Sequence, residues 1–185
     1  MGNELVLGRW IPWAAAATEA DWERIYAEQL PRVHDFFRYR VGSGAVAEDL
    51  TSLTFEKAWV ARHRYRRDLA AFSTWLMAIA RNVAVDHFRA RRLRETAPLE
   101  AAQDVAAGPG PEELAERRSD AERLGRLLEL LPDRDRELLS LKYGAGLTNR
   151  QIARLAGLSE SNVGTLVHRT VQRLRAAWED EGGTS

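Results

Sequence analysis

The chain has no cysteine among its 185 residues, which excludes disulfide scaffolds and thiolate metal sites. It also lacks a long apolar run. The longest stretch without a charged residue, Leu69 to Ala80, has 12 residues, well short of the roughly 20 that a spanning helix needs. Trp10 to Ala17 is apolar, but Glu4 precedes it and only Arg9 supplies positive charge, so the basic start and longer apolar run of a secretory signal are missing. A cytoplasmic location is therefore expected. Val and Ile are scarce, at 11 and 4 residues against 28 Ala and 23 Leu, a balance that favours helix over strand. Apolar residues make up 45% of the chain, enough for a real core, and an all-α protein is expected.

Net charge is absent too, with 27 Lys+Arg against 27 Asp+Glu, yet the charges are not evenly spread. Residues 19–96 carry 14 basic and 11 acidic side chains, 97–122 carry 2 and 7, and 123–179 carry 10 and 6. Two basic blocks flank an acidic one. Within the first block, Lys57 to Arg94 holds ten basic residues and only Asp68 and Asp86 as acids, a local excess that attracts a polyanion. The acidic middle contains Pro98, Gly108, Pro109, Gly110 and Pro111, which interrupt helical periodicity and suit a linker. The expected organisation is an N-terminal extension (1–18), a first helical domain (19–96), a flexible acidic linker with the start of a helix (97–122), a second helical domain (123–179) and a short tail (180–185). With only that tail after the last helix, self-regulation by an added domain is not expected.

Helical signals divide the two domains further. Thr18 with Asp21 resembles a capping box and opens an amphipathic helix to about Arg40, with Trp22, Ile25, Tyr26, Val33, Phe36 and Phe37 on its apolar side and a kink expected at Pro31. Gly42 and Gly44 mark a turn before a second helix, from about Ala45 to Arg62. Ser73 is the expected cap of a third, reaching about Arg94. After the linker, helices are expected over Glu112–Leu131, Asp133–Tyr143, Asn149–Ala156 and Glu160–Trp178, the last two capped by Thr148 and Ser159.

Those last two carry the most specific pattern. A helix-turn-helix needs a small residue where its helices cross, a glycine able to take positive φ in the turn, and apolar residues locking the second helix onto the first. Ala153, Gly157 and Val163 occupy these positions, with Ile152, Ala156, Leu158 and Leu166 in the other apolar slots. A plain helical hairpin would not require all of these residue types together. Val163, Val167, Val171 and Leu174 should face inward, leaving Ser161, Asn162, Thr165, His168 and Arg169 near a major groove and Arg173 and Arg175 near phosphates. For His168 a merely solvated side chain is the alternative.

In the first domain, Phe55, Trp59, Tyr65, Phe72 and Trp75 are interleaved with Lys57, Arg62, Arg64, Arg66 and Arg67. Cations that track a backbone and rings that take unstacked bases are the chemistry of single-stranded nucleic-acid binding; packing into a core is the alternative, above all for Trp59, Phe72 and Trp75. The segment from Phe72-Ser-Thr-Trp-Leu-Met-Ala to Arg92 resembles the promoter-melting helix of bacterial sigma factors of the extracytoplasmic-function (ECF) group of the sigma-70 family. Glu48-Asp-Leu-Thr-Ser-Leu-Thr-Phe-Glu-Lys-Ala-Trp59 resembles their core-polymerase-binding helix. Leu131-Pro-Asp-Arg-Asp-Arg-Glu-Leu-Leu and the helix-turn-helix after it resemble their C-terminal domain. The likeness covers about residues 20 to 178 in the family's order.

That resemblance implies a sigma region 2 bundle followed by a sigma region 4 helix-turn-helix. It implies core RNA polymerase as partner, through the β′ clamp helices and the β flap, with Asp49, Leu50, Ser52, Leu53, Phe55 and Glu56 on the clamp-binding motif. It implies promoter DNA as the second partner. The minus-ten element, melted to expose non-template single strand, maps onto Arg62, Arg64, Tyr65, Arg66, Arg67, Asn82, Asp86, Arg89 and Arg92. The minus-thirty-five element, read as duplex, maps onto Ser161, Asn162, Thr165, His168, Arg169 and Arg173. An anti-sigma factor is a further implied partner, although no residue marks its site. The chain departs from the family where Ser52 and Leu53 replace the usual Gln and Glu and where Gly164 and Leu166 replace frequent Lys and Arg, which reduces polar contacts to β′ and cations near the groove. The competing expectation is a free-standing helix-turn-helix regulator, which leaves the arginine-rich first domain without a role. An enzyme is not expected, nor a cofactor, metal or small-molecule substrate: His34, His63, His87 and His168 have no paired ligand spacing, and Glu48-Asp49 reads as helix surface.

Overall fold

The computed structural model describes residues 19–42, 44–95 and 112–182; the Trp-rich start, the cap expected at Thr18 and the Pro/Gly-rich stretch as far as residue 111 lie outside them. Every regular element among the described residues is helical. The first domain contains α1 (Glu19–Val41), α2 (Gly44–Ala61), a single 3-10 turn (Arg62–Arg64) and α3 (Phe72–Glu95). The second contains α4 (Glu112–Glu129), α5 (Asp133–Leu139) continuing into a π-helical turn (Ser140–Gly144), α6 (Asn149–Ala156) and α7 (Glu160–Gly182).

Apolar spacing of three and four residues sets the inner face of each helix in the first domain. Ile25, Val33, Phe36 and Phe37 of α1 meet Ala47, Leu50, Phe55 and Ala58 of α2 and Leu76, Met77, Ala80 and Val83 of α3, all buried. Fully burying a Phe such as Phe36 contributes roughly 1.5–3 kcal/mol. Two threonines share this interior, and their hydroxyls donate within the helix, Thr51 to Ala47 O at 2.6 Å and Thr54 to Leu50 O at 2.7 Å, so neither hydroxyl is stranded. Helix α1 continues through Pro31, which is exposed. It stops at Gly42, whose φ of 77° lets its N–H reach Arg38 O at 3.1 Å. Helix α3 begins one residue before the expected cap. Ser73 sits in its first turn, and the N–H groups of Thr74 and Trp75 both donate to Ala71 O, because Phe72 is drawn into an aromatic cluster and the backbone closes the turn without a side-chain cap.

In the second domain Leu127, Leu128, Leu138, Leu139, Leu141, Leu147, Ile152, Val163 and Val167 are buried. The π-helical turn, closed by Ala145 N–H to Ser140 O at 2.9 Å, brings Gly144 onto the backbone of α1. A Cβ there would lie 2.8 Å from Asp35 O and from Phe36 Cα, a separation that only glycine permits. The two domains therefore pack directly, and their buried residues form one continuous apolar cluster from Val33 to Val167. Polar contacts cross the same seam: Arg32 Nε donates to Ala145 O at 2.9 Å and Gln151 Nε2 to Thr74 Oγ1 at 3.1 Å.

Candidate nucleic-acid interface

The helix-turn-helix is built by its caps. Thr148 Oγ1 accepts the Gln151 N–H at 3.3 Å while Gln151 Oε1 accepts the Thr148 N–H at 2.9 Å, a reciprocal box that fixes the start of α6. Gly157 ends α6 at φ 66°, and Leu158 N–H bonds Ala153 O at 3.0 Å. Ser159 Oγ then accepts the Asn162 N–H at 3.2 Å and starts α7. Val163 and Val167 are buried, with Val171 and Leu174 half-buried behind them, so the opposite face of α7 is presented to solvent. Ser161, Asn162, Thr165, His168, Arg169 and Arg173 are all exposed. Arg173 is ion-paired with Asp135 and also donates to Thr170 Oγ1 at 3.3 Å, which anchors its guanidinium to α5. Gly164 lies against Asn149, whose Oδ1 accepts from Lys142 Nζ at 2.9 Å.

The arginine loop of the first domain stands on an aromatic base. Trp22 meets Trp59 at 5.1 Å and Phe72 at 6.3 Å, while Tyr65 meets both Phe72 and Trp75 at 5.3 Å. Arg62 lies 3.9 Å above the Trp59 ring and donates from Nη1 to Trp59 O at 2.7 Å. Tyr65 itself is only 8% exposed. Its hydroxyl donates to Ala70 O at 3.0 Å and closes the loop, and burial raises its pKa, with the Arg67 charge working the other way. Tyr65 thus holds the loop from beneath and presents no ring to solvent, a distinction that alternating Arg and aromatic residues do not reveal. Arg64, Arg66 and Arg67 project outward. Arg66 forks onto Asp68 at 3.2 and 2.7 Å; this hydrogen bond holds the Asp68 carboxyl below its ordinary range and the Arg66 guanidinium above its own.

On α3, Asn82, Asp86, Arg89 and Arg92 are exposed and share one face by spacing. Asp86 faces Lys57 at 3.7 Å and Arg92 bonds Asp133 at 3.0 Å. His87 is half-buried beside them, and burial followed by the Arg94 and Arg91 charges lowers its pKa. On α2 the six motif residues divide: Asp49, Ser52, Leu53 and Glu56 are exposed, while Leu50 and Phe55 are in the core. Val60, seven residues after Leu53 on the same face, is 65% exposed, and Tyr26 of α1 lies with its ring 4.5 Å from Phe55 and is itself exposed. Val60 stands off the core stripe of α2, a signal the sequence carries for a contact residue, whereas Tyr26 falls on the apolar side of α1 by spacing and only the structure exposes it. Among the described residues no group of three or more His, Cys, Asp or Glu could hold a metal ion, and no helix is long and apolar enough to cross a membrane.

Comparison with known proteins defines the class. The Sigma-70 region 2 family matches residues 25–94 and the Sigma-70 region 4 family matches residues 121–174, the two domains just described. More narrowly, the chain belongs to the ECF RNA polymerase sigma factors. It is 34% identical over 171 residues to the ECF RNA polymerase sigma factor BldN of Streptomyces coelicolor, a match covering 90% of this chain and 64% of that one. It is 33% identical over 156 residues to the RNA polymerase sigma factor CarQ of Myxococcus xanthus, covering 83% and 87%. The chain thus spans less than two thirds of the length of the Streptomyces relative. Its fold is similar, with a TM-score of 0.66 and 21% identity over 86% of this chain and 97% of the other, to the sigma factor RpoE crystallised with the anti-sigma factor NepR from Bartonella quintana.

Proposed function

We propose that this chain is a promoter-specificity subunit that recruits core RNA polymerase, reads duplex upstream and captures unstacked non-template bases to nucleate melting. One observation carries the reading. A capped helix-turn-helix with an outward polar row and an arginine loop on an aromatic base occur in one chain, in the order of region 2 and region 4. The row Ser161, Asn162, Thr165, His168 and Arg169 serves the minus-thirty-five duplex, where an Asn or Arg pairs with base edges. Arg173, further along α7, is placed for a backbone phosphate once it exchanges its carboxylate partner Asp135 for one. Arg62, Arg64, Arg66 and Arg67, with Asn82, Asp86, Arg89 and Arg92 on α3, serve the minus-ten strand, and Tyr65 supports them. The exposed Asp49, Ser52, Leu53 and Glu56, joined by Val60 and Tyr26, meet the β′ clamp helices, with Leu50 and Phe55 packed beneath them.

In this reading residues 19–96 are the polymerase and minus-ten unit, 97–122 the connection and 123–179 the minus-thirty-five unit. The protein acts in the cytoplasm, catalyses no reaction of its own, needs no cofactor, and contacts the β flap through its second domain. A structural relative is bound by an anti-sigma factor, and an inhibitor of that kind is proposed for this chain as well. The test is co-purification with core polymerase followed by in vitro transcription on genomic templates. The expected result is a stable holoenzyme that initiates at a defined set of promoters. Tight promoter binding by the chain alone, with no association with core enzyme, would instead establish a free-standing regulator.

A further inference from the structure

We propose that a cleft lined by the end of α1, by α3 and by the turn from α4 into α5 is a binding site for a small phosphorylated ligand, recognised through a diphosphate group. The cleft has a volume of about 350 Å³, within the roughly 300–1,000 Å³ of small-molecule sites and more than a single phosphate fills. Its wall carries Arg91 and Arg92 of α3 and Arg136 of α5, set against the carboxylates of Glu129 and Asp133 and joined by the Phe88 ring. Beneath that wall lies Arg40 of α1, 5% exposed, its guanidinium 4.4 Å from the centre of the Phe88 ring. Four guanidiniums thus meet two carboxylates. Glu137 also attracts Arg40, but it is ion-paired with Arg81, so a surplus of positive charge remains that a multiply charged anion neutralises.

The hydrogen bonding points the same way. Asp133 is shared between two arginines: its Oδ2 accepts from Arg92 Nη2 at 3.0 Å, while its Oδ1 stands 3.6 Å from Arg40 Nη1, too far for a hydrogen bond. Arg136 is held by two main-chain carbonyls, Glu129 O and Leu131 O, which fix its guanidinium without neutralising it. Arg40 Nη1 and Arg136 Nε are both buried with no hydrogen-bond partner, two of the three such side-chain atoms among the described residues. Burial drives the Arg40 pKa down, Asp133 and Glu137 raise it again, and the Arg136 charge lowers it. Negative charge placed in the cleft relieves both the orphaned donors and the crowded cations. Guanidinium forks take phosphoryl oxygens in pairs, and arginines arriving from three helices suit a ligand with oxygens on more than one side, as adjoining phosphoryl groups have. The row assigned above to the minus-ten strand shares only Arg92 with this wall; Arg91 and Arg136 lie outside it.

Isothermal titration calorimetry of the full chain, in metal-free buffer at fixed ionic strength, tests the site with inorganic pyrophosphate, ADP and sulfate as probes. Pyrophosphate should bind at one site, and sulfate at least about tenfold more weakly. Arg136→Met should weaken pyrophosphate about tenfold, the effect of losing one charge-assisted hydrogen bond. Glu129→Gln, at an exposed position, should tighten it severalfold by removing a repelling carboxylate, and it decides the matter if loss of the carbonyl contacts unfolds Arg136→Met. A nucleotide as the natural ligand would show as ADP binding more tightly than pyrophosphate and losing that advantage in Phe88→Leu; equal affinities would assign the site to free diphosphate. The proposal is overturned if millimolar pyrophosphate gives no binding heat, if sulfate binds as tightly, or if Glu129→Gln leaves the affinity unchanged. It is equally overturned if a single-stranded oligonucleotide binds and loses the same factor as pyrophosphate in Arg136→Met, which would assign the cleft to DNA.

Discussion

The two domains set their candidate binding surfaces by opposite means. In the second, short-range hydrogen bonds set the surface: Thr148, Gln151, Gly157 and Ser159 fix where two helices begin and end, and a valine stripe turns the remaining face of α7 outward. In the first, long-range packing sets it. Trp22 from α1, Trp59 from α2 and Phe72 and Trp75 from α3 assemble the base, and a buried Tyr65 ties the arginine loop down. The difference teaches that an exposed polar row on a rigid helix can be specified by local chemistry, whereas an arginine loop needs a platform assembled from the whole domain.

The comparison breaks most sharply at the core that joins the two. Phe36→Ala, at a fully buried position beneath both domains, should cost about 3–5 kcal/mol in urea unfolding and lower both domains together; a transition that leaves the second domain at its original midpoint would show the shared cluster to be energetically divided. Next in size, Arg169→Ala should cost about 1–3 kcal/mol of promoter discrimination at one base position if it reads an edge, or weaken all sequences equally and flatten the salt dependence if it meets a phosphate. Quantitative binding of holoenzyme to minus-thirty-five variants separates these.

The local chemistry of the second domain can be sharpened with smaller changes. Gly157→Ala meets open space but keeps φ at 66°, so strain alone should cost about 1–2 kcal/mol, measured as a fall in thermal midpoint. Thr148→Ala removes the cap and should cost about 1 kcal/mol. Smallest of all, Asp68→Asn should leave thermal stability where it was, because the Arg66–Asp68 pair lies on the exposed surface, while shifting the orientation of Arg66. A matching loss in open-complex formation without loss of stability would locate the pair's importance in the loop and not in the fold.

How far the residues alone could be read follows the same division. The helix-turn-helix was legible nearly residue by residue, since caps, the turn glycine and the valine spacing act within four or five positions. Helix α3 was legible in extent but not at its start, because Phe72 enters the helix for tertiary reasons and displaces Ser73 from the cap. The segment Glu48–Trp59 was legible as part of a helix, yet which of its residues face outward depended on α1 and α3, which cover Leu50 and Phe55 and leave Leu53 and Val60 bare.

Order, helicity, charge blocks and the two-domain plan were thus determined by the sequence, because propensity, periodicity and capping are local quantities that neighbouring residues settle between themselves. Only the tertiary structure decided that Tyr65 lies under its arginines, that Gly144 touches α1, and that Asp133 and Glu137 meet arginines of the first domain 41 and 56 residues away. Such pairings depend on how separate helices stack, and no local rule along a chain carries that distance.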